Sequence, residues 1–143
     1  MKFASLLLAA TLASAPAFAA EHVVEMLNKG DDGMMVFQPG LIRAEIGDTV
    51  RFVPTDRGHN VETIEGFIPE GYEMVLGAMD QEVILEITAE GLYGLRCKPH
   101  FGLGMVALIV AGDIQDPDLP EDVKLPRKAK ERFEAWLEVL EGE

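Results

Sequence analysis

Eight short apolar or alternating runs, separated by turn-forming residues, dominate the chain between residues 21 and 111. The turns include "KGDDG", "IGD" and "AEG", which combine glycine with small or acidic residues. In one run, Val83, Leu85 and Ile87 alternate with the residues between them, as in a half-buried strand. Strands repeating at intervals of about ten residues predict an all-β fold of about eight strands, either a sandwich or a Greek-key barrel. The runs are "VVEML", "MMVFQP", "LIRAEI", "TVRFVP", "NVETI", "EVILEIT", "LYGLRC" and "MVALIV".

Residues 1–19 have the features of a secretory signal peptide. Lys2 precedes an apolar run that ends at Leu12, and small residues surround Phe18 before the expected cleavage after Ala19. A membrane anchor is the weaker alternative, because the run is shorter than the ~20 residues that a spanning helix needs. We therefore expect an exported, periplasmic protein that is not inserted in the membrane.

The charge and the cysteine content exclude several classes of protein. The formal net charge is −13, and loss of Lys2 with the signal peptide would make it −14. Such acidity argues against binding to nucleic acid or to an anionic membrane surface. The single cysteine, Cys97, cannot form an internal disulfide in an oxidising compartment. Its thiol must be buried, pair with another chain or bind a metal.

The residues after Gly112 form a different kind of segment. The stretch "DIQDPDLPEDVKLP" is acidic and rich in proline, as connecting segments are. The stretch that follows places Phe133, Trp136, Leu137 and Leu140 on one face of a helix. We expect a β domain at 20–112 and a helical extension at 113–143 that packs on the outside of that domain.

Four side chains of ligand chemistry stand out. Cys97, His100 and Met105 share one short loop, "CKPHFGLGM", and His59 lies 38 residues upstream. Taken singly, each would more often be a core or surface residue. Together they supply a thiolate, two imidazoles and a weak thioether, the ligand set of a mononuclear copper site that transfers single electrons. Zinc is the poorer candidate, because methionine is a poor zinc ligand.

At this point the sequence resembles the cupredoxins, a family of small copper proteins. The stretches that carry the resemblance are "MLNKGDDGMMVFQP", "VRFVPTDRGHNVETI", "YGLRCKPHFGLGMV" and "KAKERFEA". The last of them matches a C-terminal extension that plastocyanin and amicyanin lack. The resemblance implies a Greek-key fold with two C-terminal helices, and one copper ion bound by His59, Cys97, His100 and Met105.

The resemblance also implies roles for residues around the copper. The backbone N–H of Asn60 would meet the cysteine sulfur, and its side chain would tie the two ligand loops together. Met35 would pack near the exposed histidine ligand. Asp31, Asp32 and Asp56 make this end less basic than in similar cupredoxins. The residues expected to contact redox partners are Lys29, Arg57, Arg96, Lys98, Phe101 and Leu103.

The implied function is that of a monomeric one-electron carrier between respiratory redox proteins. It is not an enzyme, because the four protein ligands leave no position open for a substrate. The implied partners are a periplasmic nitrite reductase or another reductase, and a cytochrome as electron donor. A copper chaperone or storage protein is the alternative. A multicopper oxidase is excluded, because three histidines are too few for a trinuclear centre.

Pro99 generates a first prediction. Proline has no N–H, so Pro99 cannot donate the second hydrogen bond that some cupredoxins give to the cysteine sulfur. A hydrogen bond to the thiolate favours the electron-rich reduced site. We therefore expect Pro99→Ala to raise the reduction potential measured by voltammetry, and an unchanged or lower midpoint would contradict this account.

Overall fold

The computed structural model describes residues 18–142, so most of the expected signal peptide lies outside the described residues. All eight predicted runs contain strands. The strands are β1 (Glu21–Gly30), β2 (Gly33–Gln38), β3 (Leu41–Ala44), β4 (Thr49–Val53), β5 (Glu62–Thr63), β6 (Val83–Glu86), β7 (Gly91–Arg96) and β8 (Val106–Ala111). A 3-10 helix spans Lys98–Leu103, and the α-helix α1 spans Arg127–Glu141.

The strands form two four-stranded sheets rather than a closed barrel. One sheet has the order β2-β1-β4-β6, and the other has the order β3-β8-β7-β5. β1 pairs with β4 and β3 pairs with β8 in parallel, whereas the other neighbours are antiparallel. Of the two predicted architectures the sandwich is therefore confirmed. The barrel is wrong, because the sheets do not close on each other at their edges.

The main core fills the space between the sheets with inward-facing residues from both sheets. Phe37 of β2 meets Phe52 of β4 edge to face, with ring centroids 5.4 Å apart. Tyr93 of β7 is fully buried, and its hydroxyl donates to the carbonyl oxygen of Ala89 at 2.7 Å. Such contacts favour a single arrangement of the two sheets, because edge-to-face rings and a satisfied hydroxyl depend on geometry.

The helix α1 covers the outer face of the second sheet. Ala129, Phe133 and Leu137 are buried, and they share a second apolar cluster with Leu108 of β8. Gly40 lies directly under the Trp136 ring, so close that an added Cβ would fall 2.4 Å from a ring carbon. The buried face of α1 therefore packs against β8.

One helix, not two, is present in the C-terminal part that the structure describes. Residues 113–126 form bends, turns and extended chain. Pro117, Pro120 and Pro126 interrupt this segment, and each removes a backbone donor that a helix interior would use. The expectation of a second C-terminal helix is wrong for this reason.

Asp48 anchors the start of β1 to the turn before β4. Its carboxylate accepts hydrogen bonds from the backbone N–H groups of Ala20 and Glu45, at 2.8 and 2.9 Å. The ring nitrogen Nε2 of His22 lies 2.9 Å from the same carboxylate. The Glu45 N–H, then His22 and then the Ala20 N–H lower the pKa of Asp48 to about 2. His22, which the sequence assigned to no role, therefore helps to hold the end of the first strand.

Asp48→Asn should lower the free energy of unfolding at pH 7 by about 1–3 kcal/mol, because it weakens charged hydrogen bonds to a buried carboxylate. The folded-state pKa lies below the ordinary value of 3.8, so this stabilisation exists above pH 3.8 and disappears as the pH falls through about 2. Urea unfolding between pH 7 and pH 2 measures the difference. Glu45→Gln, at an exposed carboxylate of the same turn, is the control. Equal losses in both variants would contradict the assignment.

Candidate metal centre

The four candidate ligands come from loops at one end of the sandwich. His59 follows β4, in the loop that leads to β5. Cys97 follows β7 directly, and His100 lies in the 3-10 helix that continues from it. Met105 directly precedes β8. Since β7 and β8 are antiparallel neighbours, the loop between them holds three candidates on the frame of two paired strands.

Three donor atoms converge. The Nδ1 atoms of His59 and His100 are 3.1 Å apart. The Sγ of Cys97 lies 3.8 Å from Nδ1 of His59 and 3.6 Å from Nδ1 of His100. His59 and Cys97 are buried, whereas His100 is half-buried. One ion could therefore contact all three atoms, and the ring of His100 is the side of the group nearest to solvent.

A hydrogen bond between Asn28 and Nε2 of His59, the ring nitrogen that does not face the donor group, fixes the orientation of the ring. The side-chain oxygen of Asn28 lies 2.8 Å from Nε2 of His59. An amide oxygen only accepts hydrogen bonds, so Nε2 carries the proton and Nδ1 presents its lone pair to the donor group. The sequence analysis missed Asn28. Its only signal is its place in the "MLNKG" stretch, because the contact joins residues far apart in the chain.

Burial shapes the protonation of the group. Burial raises the pKa of the Cys97 thiol, and the backbone N–H groups of Asn60 and His100 partly offset this effect. Burial, and then the neighbouring His100, lower the pKa of His59. A neutral imidazole is ready to bind a cation, whereas the thiol must first lose its proton. The backbone N–H groups of Asn60 and His100 therefore lower the pKa of the thiol, and Pro99 has no N–H with which to add to this effect.

The side chain of Asn60 joins the two loops. Its oxygen accepts from the Lys98 N–H at 2.8 Å, and its Nδ2 donates to the carbonyl oxygen of Gly77 at 3.0 Å. Nδ2 also donates to the buried carboxylate of Glu62 at 3.2 Å. Glu62 in turn accepts two hydrogen bonds from Arg96, at 3.2 and 3.1 Å. These bonds fix which end of the amide faces the cysteine loop.

Backbone hydrogen bonds connect Met105 to Cys97 and His100. It is fully buried in the main core together with Cys97. The Cys97 N–H donates to the carbonyl oxygen of Met105 at 2.9 Å, and the Met105 N–H donates to the carbonyl oxygen of His100 at 3.1 Å. The loop therefore closes tightly, and Gly104 allows this with a φ of 85°. Met35 is half-buried at the edge of the main core, with a φ of 52°.

The donor set fits copper. A thiolate and a thioether are soft ligands, imidazole is intermediate, and this combination suits both Cu(I) and Cu(II). The closed surroundings fit as well, because protein side chains and not an open cleft surround Cys97 and His59. This is the arrangement expected of a site that exchanges electrons and does not bind a substrate.

The residues expected to dock partners are not equivalent in the structure. Lys29, Lys98 and Leu103 are exposed. Arg57 is also exposed, and its Nε lies 4.0 Å from the carboxylate of Asp80. Arg96 is engaged by Glu62 and lies over the Phe101 ring, 5.2 Å from the centroid. The basic charge available to a partner is therefore smaller than the sequence suggests.

Comparison with known proteins gives one consistent result. A family model described as copper binding proteins of the plastocyanin/azurin family matches residues 24–112. The pseudoazurin of Paracoccus pantotrophus is 50% identical over 87% of this chain and 86% of that protein. The pseudoazurin of Methylorubrum extorquens is 50% identical over 81% of this chain and 82% of that protein. The crystal structure of pseudoazurin from Methylobacterium extorquens AM1 superposes with a TM-score of 0.78 at 42% identity, covering 84% of this chain and 98% of that one.

The chain therefore belongs to the plastocyanin/azurin family of copper-binding proteins, as the resemblance to cupredoxins predicted. Proteins of this class are copper electron carriers and not enzymes. Within the family, the pseudoazurins are the group to which this chain is similar along most of its length. Within residues 18–142, no helix has the length and apolarity needed to cross a bilayer.

Asn28→Ala should weaken copper binding. Without the acceptor at Nε2, the proton can move to Nδ1, and the ring of His59 loses its fixed orientation. Loss of such a partner typically lowers metal affinity about 10–100-fold. Competition with a chelator of known affinity measures the change. Asn28→Asp, which keeps an acceptor, is the matched control, and wild-type affinity in Asn28→Ala would contradict the role of Asn28.

Proposed function

We propose that this protein is a periplasmic one-electron carrier whose single copper ion is bound by His59, Cys97, His100 and Met105. The observation that carries the proposal is the convergence of Cys97 Sγ and two imidazole Nδ1 atoms, each nitrogen within 3.8 Å of the sulfur, at the end of a rigid sandwich. Copper in this donor set supplies a reversible one-electron change between Cu(I) and Cu(II).

The protein's own residues hold the geometry and provide the contact with partners. Asn28 orients the His59 ring through a hydrogen bond to Nε2, and Asn60 fixes the cysteine loop through a hydrogen bond from the Lys98 N–H. Small geometric change between oxidation states makes electron transfer fast, and a ligand frame tied to two sheets resists such change. His100, being half-buried, is the ligand through which electrons would enter and leave.

The surface around His100 supports brief docking of redox proteins. Pro99 and Leu103 are exposed beside it, and Phe101 and Met35 are half-buried. Redox encounters use small interfaces with an apolar centre and a charged rim that steers the approach. We propose Lys29, Arg57 and Lys98 as the rim. The acceptor would be a periplasmic nitrite reductase or another reductase, the donor a cytochrome, and the carrier itself a monomer.

The proposed location and domain division follow from the sequence pattern. Residues 1–19 would be a signal peptide that directs export to the periplasm. Residues 20–112 would form the copper-binding domain, and residues 113–143 a helical extension. The family match at 24–112 supports the second boundary.

Addition of Cu(II) to the purified protein should give an intense thiolate-to-copper band at about 600 nm, about 450 nm, or both. Cys97→Ser should lack these bands, because it removes the thiolate. The loaded wild type should also show one reversible one-electron wave and should reduce a purified copper nitrite reductase in stopped-flow experiments. A colourless protein that holds only Cu(I) would instead identify a chaperone or storage protein.

A further inference from the structure

Arg132 connects the C-terminal helix to the metal-binding loop. From the middle of α1, its Nη1 donates to the carbonyl oxygen of Gly104 at 2.5 Å. The same nitrogen lies 3.3 Å from the carbonyl oxygen of Met35, to which it also donates. One guanidinium therefore joins three parts of the chain that are distant in sequence: the helix, β2 and the loop between His100 and Met105.

The contact between helix and loop is close at a second point. Gly104 has a φ of 85°, and a Cβ added to it would lie 3.1 Å from both the Cβ and the carbonyl oxygen of Lys128. Lys128 is in the first turn of α1. The helix backbone thus limits how far Gly104 can move outward, while Arg132 holds its carbonyl oxygen in place.

The position of Gly104 determines that of Met105, because the two residues share a peptide unit. The Met105 N–H belongs to the same peptide group as the Gly104 carbonyl that Arg132 binds, and it donates to His100 at 3.1 Å. A peptide unit is planar, so a shift of the carbonyl oxygen also turns the N–H and the Met105 Cα.

The guanidinium of Arg132 is partly removed from water, so it needs hydrogen-bond acceptors from the protein. Arg132 is half-buried; burial lowers its pKa and the charge of Asp32 raises it. Arginine remains charged even so, and its fixed fork of donors suits two carbonyl oxygens at once. The two carbonyls thus compensate for the water that the guanidinium gives up.

We propose that Arg132 is a positioning residue for the metal centre, which sets how closely the Met105 thioether approaches the copper and so couples α1 to the redox properties of the site. The inference rests on the proposed role of Met105 as a copper ligand. Without Arg132, the peptide between Gly104 and Met105 is released, and the thioether would bind the copper less strongly. A weaker thioether ligand would stabilise Cu(II) less, so the reduction potential would rise.

The test compares Arg132→Met with Arg127→Met in the copper-loaded protein. Arg127 is exposed on the same helix and pairs with Glu131, so its loss controls for a change of charge on α1. For Arg132→Met we expect a smaller ratio of the absorbance at about 450 nm to that at about 600 nm, and a higher midpoint potential. Arg127→Met should show neither shift. If Arg132→Met does not fold, Arg132→Lys, which keeps one donor group, should show smaller shifts of the same sign.

A double-variant cycle separates this role from general destabilisation. In a Met105→Leu background there is no thioether to position, so replacement of Arg132 should no longer shift the potential. A second measurement needs no copper. In the chelator-treated protein, the Met105 amide should exchange its hydrogen about tenfold faster in Arg132→Met than in Arg127→Met, since the loop opens more often.

Each result decides a separate question. Unchanged spectra and potentials in Arg132→Met, equal shifts in Arg127→Met, or a shift that persists without the thioether would each overturn the positioning role. Absence of a thiolate-to-copper band in the wild type would instead contradict the proposed function. The hydrogen-exchange comparison would still show whether Arg132 holds the loop.

Discussion

The amide of Asn60 is the interaction on which the metal centre depends. His59 and Cys97 are 38 residues apart in sequence and lie in different loops, yet their donor atoms come within 3.8 Å. The Asn60 side chain spans the gap, with its oxygen on the Lys98 N–H and its nitrogen on Gly77 and Glu62. A buried polar group is costly unless its partners are all present, so this network tolerates few alternative loop positions.

The two sheets turn that local constraint into a rigid site. β7 and β8 deliver Cys97 and Met105 to the two ends of one loop, and their backbones bond to each other at 2.9 Å across it. Main-chain groups that are already paired cannot easily exchange partners, so the strands hold the two ends of the loop together. Asn28 and Arg132 then orient the parts of the site that the strands leave free, the His59 ring and the Met105 peptide.

The local pattern of the sequence predicted the strands, and it singled out His59, Cys97 and His100, whose donor atoms converge in the structure. All eight apolar or alternating runs contain strands, and a lone cysteine with two histidines and a methionine is the ligand set of a mononuclear copper site. Contacts between distant residues were not predictable in this way. Asn28, His22 and Arg132 each act on a residue at least 26 positions away, and nothing in their local sequence marks the partner. The prediction of a second C-terminal helix was wrong, because it came from the resemblance, whereas Pro117, Pro120 and Pro126 disfavour a helix in this segment.

Charge pairing around the metal centre reduces the positive charge that its surface presents to a partner. Counted from the sequence, this end carries several cations, but Glu62 neutralises Arg96 and Asp32 lies near Arg132. Paired charges project only a weak field beyond the Debye length of about 8 Å. The net charge of −13 therefore dominates the field at long range, and the steering proposed for Lys29, Arg57 and Lys98 acts within about one Debye length of the surface. Recognition at the docking surface that we propose around His100 would then depend mainly on apolar fit.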